Sequence, residues 1–411
     1  MSATKTIVQS NSNLEADRLV KIIPGGSSTG SKRAKLMPQE PGVIEKGNGC
    51  RVWDADGKEY IDFRNGLGPV TLGYCFPEVD EAVKKQLNNG IVFGYPHPLE
   101  GDVAELLCEL IPCAERVRFL KTGGEAIAAC IRLARYYTGR KHIIQIGYNG
   151  WLNSLSDASL ALPGQQNTGK KPGAPEELSA LHHVGIWNNQ KNMEQLFREL
   201  DGQVAAVVVA AEYSDISGGA NFYPYLRELT ERNGALLIFD EIVTGFRLAV
   251  GGVQEHFKVV PDLAVFAKGM ANGMPLSTYL GKAKIMDRLD TVIISSTYGG
   301  ESLSLAAAKA TMKFYKSNDV IGHLWKMGKL FFDGFARLLR KYEIPAAIKG
   351  MPPLSFVYFN PETGQDRIDK FYRVIFDAGV CLYRGGYVNY SHQAVDIEEA
   401  LNRIETGLKK L

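Results

Sequence analysis

Three short apolar runs in the middle of the chain, Val204–Ala211, Ala235–Phe239 and Leu263–Ala267, most restrict how it can fold. Each is bounded by polar residues or glycine and lacks the alternation of a half-buried strand, so each reads as a strand covered on both faces. Pro224–Asn233, between the first two, carries a helical pattern. Strand, helix and strand in that order predict an α/β fold with a mostly parallel sheet flanked by helices. In such sheets the ligand lies beyond the carboxyl ends of the strands. The second run delivers Asp240 and Glu241 to that edge, and the third delivers Lys268.

A carboxylate and a lysine meeting there have a specific chemical use. A buried lysine amine forms a Schiff base with a carbonyl, and an aspartate holds a pyridinium nitrogen protonated. Pyridoxal phosphate needs both. Taken alone, an Asp and a Lys are better read as a helix cap and a surface charge, so the rest of the chain must decide.

Val117–Lys121 reads as a further strand, followed by Thr122-Gly123-Gly124 and a helix with Ile127, Cys130, Ile131 and Ala134 on one face and Gly139 near its stop. A strand, a glycine turn and a helix N-terminus suit a phosphate held on free backbone amides; they suit close strand–helix packing equally well. His142–Gly147 is another short strand, ending at Tyr148-Asn149-Gly150-Trp151. Arg51–Phe63 reads as a hairpin about Asp56-Gly57. Gly164–Pro175 reads as an exposed loop, and Ser296–Tyr315 as a glycine-bearing turn that becomes a long helix. PGGSSTGSK (Pro24–Lys32) approaches a phosphate-binding P-loop, but Ser31 stands where that motif needs lysine and no strand precedes it. The expected organisation is an N-terminal segment, 1–75, and a C-terminal one, 316–411, together forming a small α+β domain, with a large domain over 76–315.

The 47 basic and 45 acidic residues leave a net charge of +2, which makes no case for nucleic acid or an anionic membrane. Val204–Ala211 is far short of a membrane span, and the first twenty residues lack a signal-peptide core. Six cysteines without a C-x-x-C pair read as reduced thiols. Seven histidines without H-x-x-x-H spacing predict no metal site. A cytoplasmic location follows as the expectation.

The motifs together resemble those of the class III aminotransferases, fold type I pyridoxal phosphate enzymes, and most closely the glutamate-1-semialdehyde aminomutase branch. PGGSSTGSK is similar to that branch's N-terminal loop, WDADGKEYIDF to its entry hairpin and RFLKTGGEAIAACIRLARYYTGR to the helix after its phosphate turn. FDEIVTGFR and AKGMANGMP, whose Asp240 and Lys268 stand 28 residues apart, are the most specific part. By resemblance Lys268 forms the Schiff base, Asp240 pairs with the pyridinium nitrogen, and Ile242 and Tyr148 cover the two ring faces. Thr122, Gly123 and Gly124 occupy the phosphate turn. Thr297 matches a threonine that reaches the phosphate from a partner subunit, implying a homodimer.

Three positions depart from the family. Its Ser-Gly-Thr turn is Thr122-Gly123-Gly124 here, its Tyr-His-Gly is Tyr148-Asn149-Gly150, and its Glu-Pro pair is Ala210-Ala211-Glu212. Arg384 is a candidate carboxylate clamp or a surface turn residue. The apolar neighbours Ile242, Val265 and Phe266 favour the neutral amine that Lys268 needs as nucleophile and base. The expected reaction is aminotransfer between a small-molecule amino donor and a keto or aldehyde acceptor. Intramolecular 2,1-aminomutation is the alternative, and a racemase, a decarboxylase or a non-enzymatic binder of the cofactor would keep the same residues. Retained cofactor residues with Asn149 replacing a histidine favour a changed substrate.

Overall fold

A computed structural model of the chain describes residues 10–33, 36–37, 40–152 and 173–411. Two compact units emerge. The larger comprises Gly68–Thr71 and Pro77–Gly322, the smaller Met1–Leu67, Leu72–Phe76 and His323–Leu411.

Among the described residues, the sheet of the larger unit has seven strands: β1 Arg116–Leu120, β2 His142–Ile146, β3 His182–Val184, β4 Val204–Ala210, β5 Leu236–Asp240, β6 Leu263–Phe266 and β7 Ser277–Gly281. Their spatial order is β1-β7-β6-β5-β4-β2-β3. The five strands from β6 to β3 run parallel, whereas β7 is antiparallel to both its neighbours. Every residue of β4, β5 and β6 is buried, which is why their sequences are unbroken apolar runs. Helix α1, Gly123–Thr138, lays Ile127, Cys130, Ile131 and Ala134 on this sheet, where Val208, Ile238 and Val265 join them in one core. A fully buried aliphatic side chain there contributes about 1.5–3 kcal/mol. Gly139 ends α1 in the left-handed conformation, φ 67°.

Helix α2 spans Gly219–Arg232 and so begins earlier than the Pro224–Asn233 pattern suggests. Pro224 lies inside α2, which continues without a break from a 3₁₀ turn at Tyr213–Gly218. Helix α3, Ser302–Ser317, starts after the Thr297 turn. Of the Gly164–Pro175 loop, all but the last three residues lie outside the described residues.

In the smaller unit, Arg51–Asp54 and Glu59–Asp62 form the hairpin, with Gly57 at φ 76° in its turn. Val380–Cys381 adds to it in parallel, joining the two ends of the chain. Arg51 donates to Glu59 of the hairpin and to Asp396 and Glu399 of the helix Ala394–Leu408, at 2.7–2.8 Å. Pro24–Gly26 and Gly30–Lys32 form two 3₁₀ turns, with no strand before them.

Candidate active site

Asp240 is the last residue of β5 and Lys268 stands two residues beyond the end of β6, so adjacent parallel strands bring both to one edge of the sheet. The ladder pairs Asp240 with Val265, three residues before Lys268. Asp240 is 7% exposed. Its Oδ1 accepts from the Ile242 amide at 3.1 Å and its Oδ2 from Asn149 Nδ2 at 3.3 Å. Burial pushes its carboxyl up to about 6, against the lowering effect of those two hydrogen bonds and of the nearby Lys268 charge. Asn149 is equally buried, and its Oδ1 has no hydrogen-bond partner.

Glu241 turns to different partners. Its carboxylate accepts from the amides of Val253 and Gln254 at 2.8 and 3.1 Å and from the Thr244 hydroxyl. It therefore folds back the chain after β5. Gly252, at φ 72°, is required there, because a Cβ would lie 2.0 Å from Glu241 Oε2. Burial raises this carboxyl to about 7.

Lys268 is half-buried and has φ 47°, a left-handed conformation that costs a non-glycine residue about 1–2 kcal/mol. Strain of this kind concentrates at functional sites. Thr71 buttresses the turn, donating to the Gly269 carbonyl at 3.3 Å. Two other lysines near strand ends are committed elsewhere: Lys282 to Asp262 at 2.6 Å and Lys121 to Glu301 at 2.8 Å.

Ile242 packs directly over Gly123, where a Cβ would fall 2.2 Å from Ile242 Cδ1. Only glycine lets the α1 N-terminus approach Ile242 this closely. Thr122 caps α1 through a reciprocal box: its hydroxyl meets the Glu125 amide at 3.4 Å, and Glu125 Oε2 accepts from the Thr122 amide at 2.7 Å. The T-x-x-E spacing could have revealed this box in the sequence. The box leaves the amides of Gly123 and Gly124, first-turn donors without an intrahelical acceptor, at the helix end. Tyr148, 52% exposed, is close enough to Asp240 for that charge, after partial burial, to raise its phenol.

Thr297 is not gathered with these residues. It is exposed on a turn that packs against β1, where a Cβ at Gly299 would meet the Phe119 carbonyl at 2.6 Å. Glu212 caps the 3₁₀ turn after β4 by accepting from the Ser214 amide at 3.0 Å. Arg384 belongs to the smaller unit, exposed and at φ 52° in a turn. Among the described residues, no cluster of three or more His, Cys, Asp or Glu could hold a metal ion.

A family model described as aminotransferase class-III matches residues 34–406. The chain belongs to the class III aminotransferases. It is 34% identical over 419 aligned positions to a glutamate-1-semialdehyde 2,1-aminomutase of Persephonella marina, covering 95% of this chain and 96% of the relative. Among solved structures, an omega-transaminase of Sphaerobacter thermophilus superposes with TM-score 0.86 at 24% identity, covering 99% of each chain. A glutamate-1-semialdehyde aminomutase of Pseudomonas aeruginosa superposes with TM-score 0.81 at 21% identity, over 97% of this chain and 94% of that one. The class III assignment agrees with the family resemblance read from the motifs around Asp240 and Lys268.

Proposed function

We propose that this class III aminotransferase is a pyridoxal phosphate enzyme that moves an amino group from a small-molecule amino donor to a keto or aldehyde acceptor, with Lys268 and Asp240 as catalytic residues. The observation that carries the reading is the buried Asp240 beside Lys268 at the ends of adjacent parallel strands, facing a helix N-terminus whose Gly123 has no room for a side chain.

The residues fit the cofactor group by group. Asp240 suits a protonated ring nitrogen, and Ile242 and Tyr148 suit the two ring faces. The amides of Gly123 and Gly124, next to Thr122, suit the phosphate, with Thr297 of a second copy as a further contact. Lys268 suits the aldehyde. When bound, pyridoxal phosphate supplies an electron sink for the α-carbon of the donor. Asp240, oriented by Ile242 and Asn149, keeps that sink electron-poor by staying ionised against the ring. Lys268 would hold the cofactor through its amine and would serve as the base that moves a proton at the donor's α-carbon.

An aminomutase reading has its own support in the 34% identical relative. Aminotransfer is preferred because Asn149, which contacts Asp240, stands where the family has histidine, so a residue beside the cofactor differs while those proposed to hold it are kept. We further propose a homodimer. Ile91, Val92, Phe93 and Tyr95 are exposed on a segment whose Ile91 carbonyl accepts from the Ser302 amide, next to the Thr297 turn, and Tyr298 is exposed on that turn. A large cofactor-binding domain over 76–315, with a small domain from 1–75 and 316–411, is proposed on the support of the two compact units. Six free cysteines, four of them buried, support a cytoplasmic location. The near-neutral charge supports a protein without nucleic-acid or membrane partners.

The test is a half-reaction. An aminotransferase loaded with pyridoxal phosphate loses its visible absorbance on addition of an amino donor, releases a free keto acid, and recovers the band with a keto acceptor. Isomerisation of glutamate-1-semialdehyde without any added partner, and no response to common donors, would establish the aminomutase instead.

A further inference from the structure

Three loops bear the residues proposed to hold the cofactor: the Thr122–Gly124 turn, the stretch from Lys268 to β7, and the Thr297 turn leading into α3. One side chain links all three. Lys121 follows β1 and directly precedes the phosphate turn. Its Nζ donates to the Pro275 carbonyl at 3.0 Å, on the stretch that begins at Lys268, and to Glu301 Oε1 at 2.8 Å, four residues after Thr297. Lys121 and Glu301 side chains are 16% and 11% exposed, so water screens the pair little. Glu301 is itself fixed, accepting from the Ser304 and Leu303 amides at 3.1 and 2.8 Å as the cap of α3. Ser277 adds a parallel tie from β7 to the Thr122 carbonyl at 2.8 Å.

We infer that Lys121 is a positioning residue: its ammonium sets the separation between the phosphate turn and the Lys268 loop, so that one ligand engages both at once. The inference rests on the proposed function and adds to it a residue that touches neither cofactor nor substrate. The physical reason is chelation. Phosphate and aldehyde are held by different loops, and the advantage of binding both depends on how well the span between them is fixed beforehand. A ligand without phosphate does not engage the phosphate turn and gains nothing from that fixed span. Replacing Lys121 by methionine leaves Glu301 with its two amide donors, so the start of α3 is retained.

The experiment compares apoprotein binding of pyridoxal phosphate and of pyridoxal by absorbance titration, alongside the melting of each apoprotein. Wild type should prefer the phosphorylated form. K121M should cut that preference roughly tenfold, the factor that corresponds to 1.4 kcal/mol, while pyridoxal affinity changes little; apo melting should fall because Glu301 loses its counter-charge. E301Q, which keeps a hydrogen bond to Lys121 without the opposite charge, should give a smaller loss in the same direction, and it carries the comparison alone if K121M does not fold. An unchanged preference in these variants, with or without a lowered melting temperature, would overturn the positioning role and leave the cofactor assignment standing. Failure of the wild type to bind pyridoxal phosphate would overturn the proposed function and this inference with it.

Discussion

Replacing Asp240 by asparagine should stabilise the apoprotein while removing the group that serves the cofactor. Burial raises the Asp240 carboxyl from 3.8 to about 6, so between those values the folded state binds its proton more tightly than the unfolded chain does. Stability therefore falls as pH rises through that window, and above about pH 6 the folded protein bears the whole cost of an ionised carboxylate in an apolar site. The rise corresponds to about 3 kcal/mol. A carboxamide carries no such cost, and the site can accept it. Its oxygen still accepts from the Ile242 amide, and a flip of Asn149 turns the partnerless Oδ1 toward the new N–H₂ group. D240N apoprotein should thus be about 3 kcal/mol more stable than wild type at pH 8, or about 3–4 °C in melting midpoint for a chain of this length. The gain should shrink as pH falls through 6 and vanish near pH 4. Chemical and thermal denaturation of the two apoproteins across that range provides the measurement. A D240N apoprotein no more stable at pH 8, or a gain that does not depend on pH, would refute the reasoning that burial sets the carboxyl's affinity for its proton. Turnover of the loaded variant should fall on the order of 10²–10³-fold or more, as expected when preorganised electrostatic stabilisation is lost.

Two further outcomes follow from the site geometry. K268M should abolish the borohydride-reducible adduct with pyridoxal phosphate; peptide mapping of a labelled wild type should find Lys268, and label on ion-paired Lys121 or Lys282 would reject the assignment. G123A forces a methyl group to within 2.2 Å of Ile242 Cδ1 and should weaken cofactor retention by about 1–3 kcal/mol. I242A should restore room for it, so strict additivity in the double variant, measured by cofactor loss on dialysis, would show that the two residues do not meet.

How much of this was legible along the chain depended on the kind of signal. Strands β4 to β6 and helix α1 stood out because elements buried on one or both faces must repeat apolar residues at a fixed local period. Strand β7 did not. Ser277 and Thr278 are buried in it, satisfied by hydrogen bonds to the Thr122 and Arg118 carbonyls, and no hydropathy pattern marks a buried strand whose hydroxyls find partners. The part of α2 before Pro224 did not stand out because the helix continues directly from the 3₁₀ turn at Tyr213–Gly218.

The same division holds at the site. Asp240 and Lys268 could be read as a pair because both follow strand-forming runs, and the parallel-sheet rule places strand ends on one edge. The consequences of that edge could not be read. Asn149 reaches Asp240 across the intervening β4, Ile242 fills the space left by Gly123, and Lys121 joins Glu301 and Pro275; each contact links residues far apart in sequence. The sequence alone determined which segments are strands or helices and which chemistry they carry, because those properties depend on neighbours along the chain. The order of strands in the sheet, the burial that raises Asp240 and the partners of Asn149 and Lys121 were decided only by the tertiary structure, because they arise when distant segments share one volume from which water is excluded.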